Sequence, residues 1–379
     1  TLFPYTTLFR SRPLPIEFRI AGTKPDLWSA EDVVRVRSHG LTRNVASEVK
    51  RALVACAAGL DADRFRVKLE PDWTTKIPEG LDPCSVPKGV LEAYDLATRP
   101  VKFAAPKDQK AALAHDPDRF LAEADQQRDT IGSNNWVIAA SRTATGRPIL
   151  ANDPHREHSV PSLRYIVGLN APGISVIGAG EPALPGISIG HNDTIAFGLT
   201  IFNVDQEDLY VYELNPDNPN QYRYGTGWED MKVVHEKEAV KGEADRDLEL
   251  KFTRHGPVIF VDADNKHAFA VRSIWFEPGT SAYFGSSDYM TAKSWTSFLG
   301  AMRRWGAPSE NQVYADTSGN IGWVAAGKTP RRTSFDGLMP VPGDGRYDWN
   351  SYRDFRALPS EFNPKKGWFA SANQNNLPA

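Results

Sequence analysis

Ser133 follows Gly132 directly and opens a strand-like segment. A serine hydroxyl is a weak nucleophile at neutral pH and needs a neighbouring base. If the chain were cut after Gly132, the new α-amine of Ser133, with a pKa of about 8, would accept the hydroxyl proton directly or through one water. Gly132 suits such a cut, because a residue without a side chain permits the close approach that an acyl shift requires. A Gly-Ser pair also begins many ordinary strands, so the hypothesis depends on the rest of the chain.

Two other groups of residues carry side chains that can bind a metal ion. His155 and His158 form an H-x-x-H pair, but no third ligand has suitable spacing, so zinc is not favoured. Residues 205–208, DQED, concentrate carboxylates, and calcium takes about six to eight oxygen ligands. From composition alone, the same run also suits a solvated acidic face.

The segments before Ser133 read as a helix followed by a linker. Residues 29–59 have helical periodicity, with Ser29 able to cap, Asp32 three positions later and Gly59 able to end the helix. Residues 71–108 repeat Pro, Gly and Lys without a sustained period, and residues 109–131 are Ala-rich and charged. This whole stretch is predicted to be a linker or spacer.

From Ser133 onwards the chain changes to short strands. The turn at residues 142–147 lies between two of them and predicts a hairpin, with Gly146 where a permissive backbone is needed. A second hairpin is predicted within residues 312–327, and a helix across residues 292–305, capped by Thr291 or Ser294. Runs of strands with helices segregated before and after them predict an α+β fold rather than βαβ repeats.

Composition excludes several classes of protein. The chain has 379 residues, 41% of them apolar, and a net charge of −3, which suits one large or two ordinary globular domains. Without a basic cluster or a run of 18 apolar residues, neither nucleic acid nor membrane partners are expected. Cys56 and Cys84 are predicted to be two small buried apolar residues, too few for a disulfide framework.

Both ends of the chain look incomplete. Residues 1–11 resemble translated adapter sequence more than the start of a domain, so the true N-terminus, with any export signal, is expected to be missing. The last residues resemble the interior of a longer chain.

A wider match gives Ser133 its significance. In order, the blocks are GSNNWV, NDPH, PGISIGHNDTIAFGLT, DQEDLY, NQVYADTSGNIGWVAAG and GLMPVPGDGRYDW. Together they resemble the penicillin acylase family of N-terminal nucleophile hydrolases. The resemblance implies a four-layer αββα fold, truncated at both ends. It also implies an amide hydrolase that cuts itself between Gly132 and Ser133 and then forms an acyl-enzyme on Ser133.

The resemblance implies a division of the chain and a location. Residues 12–108 would belong to the α subunit, residues 109–132 to a removed spacer, and residues 133–379 to the β subunit. The α and β chains would form a heterodimer, periplasmic or secreted as in the family.

The resemblance also assigns catalytic roles. His155 would lie beside the nucleophile and help to hold the serine and its amine, although a structural histidine after Pro154 is the alternative. The backbone N–H of Ile201 and the side-chain amide of Asn311 would stabilise the oxyanion. Arg332, or its neighbour Arg331, would correspond to an arginine near the active site.

By resemblance, the acidic run would bind structural calcium. Asp205 and Asp208 would supply carboxylates, Glu207 a backbone carbonyl, and Glu48 a carboxylate from the other subunit. No organic cofactor is expected.

The substrate is predicted to be a small N-acyl amide, such as a β-lactam or an acyl-homoserine lactone. Substrate-binding positions implied by the resemblance are Arg43, Arg156, Tyr165, Ser188 and Ile189. Several of these, with Asn203, replace the larger apolar or aromatic residues that favour phenylacetyl groups in penicillin G acylases, so an aliphatic acyl chain is expected instead.

Two other classes remain as alternatives. A β-rich binding protein that keeps the fold without catalysis would be expected to lose Ser133, Asn311 or Gly132, and all three are present. A Ser-His-Asp hydrolase would carry a G-x-S-x-G turn, which the sequence lacks.

Overall fold

The computed structural model describes residues 13–25, 27–35, 44–69, 71–99, 116–122, 132–155, 158, 160, 162–182, 184–240 and 242–374. The α-helices are α1 Ile16–Ala21, α2 Ala30–Arg35, α3 Asn44–Ala58, α4 Leu60–Arg66, α5 Glu92–Thr98, α6 117–122, α7 Phe284–Tyr289 and α8 Trp295–Ala301. Short 3-10 helices lie at Pro83–Ser85, Ala140–Arg142, Ile274–Phe276, Met302–Arg304 and Phe355–Ala357. Among the helices in these ranges, none combines the length and apolarity needed to cross a bilayer.

In the described residues after Gly132 there are twenty strands. They are β1 Ser133–Ile138, β2 Ile149–Pro154, β3 Tyr165–Ala171, β4 Ile174–Gly180, β5 Ile189–Asn192, β6 Ile195–Ile201, β7 Glu207–Asn215, β8 Asn218–Tyr224, β9 Gly227–Asp230, β10 Lys232–Glu238, β11 Arg246–Thr253, β12 Gly256–Asp262, β13 His267–Ser273, β14 Glu310–Asp316, β15 Ile321–Ala326, β16 Pro330–Arg332, β17 Val341–Pro342, β18 Trp349–Tyr352, β19 Ser360–Phe362 and β20 Trp368–Ser371. Helices and strands are segregated along the chain, so the predicted α+β class is confirmed.

The strands form two large sheets and two small ones. The seven-stranded sheet has the order β19-β15-β14-β6-β5-β4-β3 and is antiparallel throughout. The eight-stranded sheet has the order β10-β11-β12-β13-β7-β8-β9, and β17 joins β7 in parallel. A three-stranded sheet, β2-β1-β20, lies against β6 and β14, and β16 pairs with β18. The first residue of β1 therefore lies against the end of the seven-stranded sheet.

Both predicted hairpins are present. Strands β1 and β2 pair from Ser133 with Pro154 to Ile138 with Ile149, and Gly146 in the turn has a φ of +65°. Strands β14 and β15 form the second hairpin. The predicted helix at 292–305 is shorter than expected: α8 begins after Ser294, whose side chain caps it in a capping box with Ser297.

The predicted helix over residues 29–59 is described as α2 and α3, on either side of residues outside the described ranges. Ser29 bonds through its N–H and hydroxyl to the Asp32 carboxylate, at 2.7 and 3.1 Å. Helix α3 ends at Gly59, whose φ of +81° a residue with a side chain would rarely adopt. Its inner face, including Val45 and Val49, packs on β7 of the eight-stranded sheet.

Residues 71–99 are not a free linker, and that expectation was wrong. Their backbone is largely irregular, which hides any period, but their apolar side chains are buried beside α3; these are Leu81, Val86, Val90, Leu91 and Tyr94. Within the predicted spacer, α6 also buries Phe120 and Leu121 in the same cluster.

Cys56 and Cys84 form a disulfide, contrary to the sequence prediction of two buried free thiols. Their Cα atoms lie 4.9 Å apart, although 28 residues separate them along the chain. Both residues are exposed, because α3 ends beside the 3-10 helix Pro83–Ser85 at the surface. The sequence contained no spacing signal for this pairing, since it results from the packing of two distant segments.

We expect the double variant Cys56→Ala/Cys84→Ala to lose about 2–4 kcal/mol of unfolding free energy, because the bond restricts the unfolded chain. The measurement is urea unfolding with and without dithiothreitol. Reductant should destabilise the parent protein and leave the double variant unchanged. Equal midpoints for parent and variant would contradict the prediction.

Candidate active site

Ser133 is held at the start of the central strand of the three-stranded sheet. Its side chain shares the inward face of β1 with Asn135 and Val137, and Ser133 is only 1% exposed. Ser133 pairs with Pro154 on β2, and β20 pairs with the rest of the strand from Asn135 onwards.

Ser133 contacts two groups that suit a nucleophile. The Asn373 side-chain oxygen accepts from the Ser133 N–H at 2.8 Å and from its hydroxyl at 3.2 Å, while the Asn373 amide nitrogen donates to the Ser133 carbonyl at 2.8 Å. The Ile201 N–H donates to the Ser133 Oγ at 3.3 Å. The hydroxyl therefore already lies beside a backbone donor at the end of β6.

The Gly132 carbonyl belongs to the bond predicted to be cut. Its oxygen accepts from the His155 N–H at 2.9 Å. A β-carbon added to Gly132 would lie 3.4 Å from the Asn373 amide nitrogen and 3.6 Å from the His155 Nδ1. These are ordinary contact distances, so packing alone does not require glycine here.

The His155 imidazole lies beside Gly132 but bonds away from the serine. Its Nε2 is 3.1 Å from an Asp153 carboxylate oxygen and 3.3 Å from the Asn134 side-chain nitrogen, and the side chain is 50% exposed. His155 thus lies beside Gly132 and bonds through its backbone N–H to the carbonyl of the bond predicted to be cut, while its role in holding the serine stays a prediction.

Asn311 does not lie where the sequence analysis placed it. Its amide nitrogen donates to the Ile201 carbonyl at 2.9 Å, and its oxygen accepts from the Trp323 indole at 2.9 Å. In the β14–β6 ladder Asn311 faces Thr200, so it braces the end of β6 instead of bonding to Ser133. The structure therefore corrects the predicted second donor.

Asn373 occupies the position beside Ser133 that Asn311 was expected to fill. It follows β20, which pairs with β1, and has a φ of +66°. Asparagine tolerates this left-handed conformation better than most residues. The only sequence signal was an Asn-rich stretch after a short strand, and it was missed.

Arg332 bonds to the acidic run that follows β6. Its guanidinium forms ion pairs with Asp208 at 2.8 Å and Asp205 at 3.1 Å, and it donates to the Glu207 carbonyl at 3.1 Å. Because β16 pairs with β18 at the edge of the acidic run, its arginine points into that run. Arg332 is therefore part of an acidic cluster, and its role near the active site stays a prediction.

The acidic cluster consists of Glu48, Asp205, Glu207 and Asp208, with Arg332 as its cation. Burial raises the pKa of Glu207 to about 7, although hydrogen bonds from Tyr94 and Ser273 oppose this. Burial also raises the pKa of Asp205 to about 7, against the effect of the arginine. For Glu48, burial followed by repulsion from Asp208 and Asp205 raises the pKa well above its usual value. Several carboxylates are therefore forced together.

Two oxygens of this cluster fit a hard cation. Among the residues that the structure describes, Glu48 Oε1 and Asp208 Oδ1 are buried without a hydrogen-bond partner, whereas Glu48 Oε2 accepts from the Leu209 N–H at 3.0 Å. Oxygen ligands of this kind are those that calcium prefers. In the described ranges, no group of three or more His, Cys, Asp or Glu side chains is arranged so that side chains alone could hold a metal ion.

The predicted substrate-binding residues divide into two groups. Arg43 and Arg156 lie outside the described residues. Tyr165 is 40% exposed on β3, and Ile189 is half-buried at the start of β5. Ser188 is buried, and its hydroxyl accepts from Arg164 at 3.2 Å, a residue that the sequence analysis did not select.

A sequence model of the penicillin amidase family matches residues 5–379. The chain belongs to the penicillin amidase family. Penicillin acylase 2 proenzyme of Pseudomonas sp. (strain SE83) is 31% identical over 369 residues, covering 95% of this chain and 45% of that protein. Acyl-homoserine lactone acylase QuiP of Pseudomonas aeruginosa is 30% identical over 389 residues, covering 98% of this chain and 44% of that protein. This member of the penicillin amidase family therefore spans less than half the length of these relatives.

A solved structure confirms the fold of this penicillin amidase family member. The thermostable penicillin G acylase from Alcaligenes faecalis matches with a TM-score of 0.61 and 31% identity, over 65% of this chain and 44% of that chain. The family resemblance and the N-terminal nucleophile hydrolase fold inferred from the sequence are both confirmed.

Proposed function

We propose that this chain carries the nucleophilic centre of an amide hydrolase that activates itself by cutting the Gly132–Ser133 bond. The observation that carries the proposal is the buried Ser133 hydroxyl, held between the Ile201 N–H and Asn373. Family membership supports the same chemistry.

In the self-cleavage step, the Ser133 Oγ attacks the Gly132 carbonyl carbon and its proton passes to the departing amide nitrogen. The His155 N–H, 2.9 Å from the Gly132 oxygen, stabilises the negative charge that develops there. The C–N bond breaks and leaves an ester on Ser133. Water hydrolyses the ester, which frees the hydroxyl and the new α-amine.

In the cut enzyme, this α-amine acts as the base for the hydroxyl. The hydroxyl attacks the substrate amide, the amine product leaves with the proton, and water then releases the acyl group from Ser133. The Ile201 N–H donates to the oxyanion. Asn373 takes the role first given to Asn311, because its side chain lies beside the Ser133 hydroxyl and its Nδ2 is a hydrogen-bond donor at the nucleophile.

The substrate class is a small N-acyl amide. Penicillin acylase and acyl-homoserine lactone acylase relatives support a β-lactam or an N-acyl lactone as the molecule carrying the acyl group. The cut pieces stay together as an α/β heterodimer.

The decisive experiment is to express the protein from its complete reading frame and read the N-terminal residue of the larger chain. A chain that begins at Ser133, with an acyl adduct on Ser133 by mass spectrometry after a brief incubation with an N-acyl amide, supports the proposal. A folded protein that stays uncut and forms no adduct would overturn it and favour the binding-protein alternative.

We further propose that structural calcium binds the acidic cluster. The carboxylates of Glu48, Asp205 and Asp208 and the carbonyl of Glu207 would hold it. The support is the pair of buried oxygens without partners, one on α3 and the other on β7. The ion would offset repulsion between carboxylates and link these two elements.

If calcium binds here, removal with EDTA should lower Tm by several degrees and added calcium should restore it, because an ion that binds only the folded state stabilises it. Glu48→Gln should abolish the calcium response, whereas the exposed Glu92→Gln should keep it. Differential scanning calorimetry checks both. The same Tm in EDTA and in calcium for the parent protein would exclude the site.

We also propose a periplasmic or secreted location. The Cys56–Cys84 disulfide supports it, because such bonds persist in oxidising compartments.

A further inference from the structure

A buried group of charged residues lies near the end of β6, where Ile201 contacts the nucleophile Ser133. Arg164 and Glu181 form an ion pair at 3.1 Å, with side chains 11% and 5% exposed. The Arg164 guanidinium also donates to the Ser188 hydroxyl at 3.2 Å. The Tyr283 hydroxyl donates to Glu181 at 3.3 Å, which completes one side of the group.

Glu310 brings a second carboxylate to this group. It is fully buried at the first position of β14. Although burial works against the charged form of Arg164, the neighbouring Tyr283, Glu181 and Glu310 together raise its pKa. The buried carboxylates of Glu181 and Glu310 therefore both stabilise the charged form of the Arg164 guanidinium.

The β-ladder places Glu310 next to the catalytic centre. Glu310 is paired with Ile201, whose N–H lies 3.3 Å from the Ser133 Oγ. Directly paired residues in an antiparallel sheet extend to the same face, with Cβ atoms about 4.5–5.5 Å apart. The Glu310 side chain thus stands beside the residue that contacts the nucleophile.

Some polar atoms in this group lack partners. Within the described part of the chain, the Nε of Arg164 is buried without a hydrogen bond, and so are both amide atoms of Gln312, two residues beyond Glu310 on the same face of β14. Buried polar atoms are rarely left unsatisfied in native proteins. A bound polar group is a natural partner for them.

We propose that Arg164, Glu310 and Gln312 recognise the far end of the acyl group, and that this end is polar. The preferred substrates are then amides of acyl chains that end in a carboxylate, an ammonium or a carboxamide. Hydrocarbon ends, including the aliphatic chain expected from the sequence, are disfavoured because they offer no hydrogen bond to these buried polar atoms. This inference rests on the proposed function of Ser133.

The test compares four substrates with one leaving group, p-nitroaniline, and acyl groups of matched length: hexanoyl, adipoyl, adipamoyl and 6-aminohexanoyl. A site built to hydrogen-bond its ligand rejects analogues that cannot do so. We expect at least one polar-ended substrate to exceed the hexanoyl substrate in kcat/KM by about tenfold or more. A preference for hexanoyl over all three polar-ended substrates would overturn the inference.

Variants then test the named residues. Glu310→Gln and Arg164→Gln should reduce the polar preference mainly through KM while the chain is still cut at Ser133. Arg254→Gln, which breaks the Arg254–Glu229 pair on the other large sheet, is the matched control and should leave the preference unchanged. An unaltered preference in both site variants would also overturn the inference.

The two proposals fail in different ways. A protein that is cut at Ser133 and hydrolyses only hydrocarbon-ended amides refutes the acyl-end inference and keeps the proposed function. A folded protein that is neither cut nor acylated refutes both.

Discussion

Ser133→Ala is expected to leave a single uncut chain without amidase activity. The substitution removes the oxygen that attacks the Gly132 carbonyl, so no amine is released and no acyl-enzyme can form. Loss of a catalytic serine commonly lowers kcat by about 10⁴-fold or more. Denaturing electrophoresis and a chromogenic amide assay on the same preparation measure both effects.

A second serine provides the control for this experiment. Ser141 is exposed in the short helix Ala140–Arg142, only eight residues along the chain. Ser141→Ala should be cut and should be as active as the parent. A cut after Gly132 in Ser133→Ala, or retained activity, would show that another group is the nucleophile.

Asn373→Ala is expected to lower kcat by about 10²–10³-fold, the usual cost of losing one oxyanion donor. The side chain is near the surface of the turn after β20, so its truncation should change Tm little. Steady-state kinetics on fully cut protein, together with thermal unfolding, separate the two quantities.

Asn311→Ala, by contrast, should lower the stability of the protein and leave the kcat of the folded molecules unchanged. It would leave the Ile201 carbonyl and the Trp323 indole without a buried partner, which costs about 1–3 kcal/mol of unfolding free energy. Any loss of activity should then follow the loss of folded protein. If Asn311→Ala lost kcat at unchanged Tm while Asn373→Ala matched the parent, the original assignment of Asn311 would be restored.

These two asparagines show how far sequence reasoning reached. Local patterns predicted local structure well: the hairpin turn at Gly146 and the Ser294 cap are determined by neighbouring residues. The contact of Ile201 with Ser133, inferred from the family resemblance, is also present. The sequence analysis placed Asn311 beside the serine because Asn311 and Asn373 carry the same amide side chain. Only the pairing of β20 with β1 decides which of the two approaches Ser133.

Other contacts that the sequence analysis missed have the same physical origin. The contact of Arg332 with the acidic run depends on the pairing of its short strand, β16, with β18. The charged group around Arg164 links Glu310 on β14 to Arg164 and Glu181, which lie more than 120 positions earlier in the chain. No local sequence pattern therefore predicts this group. Contacts between distant segments depend on packing, which spacing along the sequence does not reveal.

The disulfide has a consequence for the protein after cleavage. Cys56 and Cys84 both precede Gly132, so the bond lies wholly within the piece before the cut and does not tie it to the piece that begins at Ser133. Among the described residues, the links between the two pieces are non-covalent, such as Tyr94 to Glu207 at 2.8 Å and Glu48 to Leu209 at 3.0 Å. In detergent without reductant they should therefore migrate separately, and in dilute native solution their association becomes a concentration-dependent equilibrium.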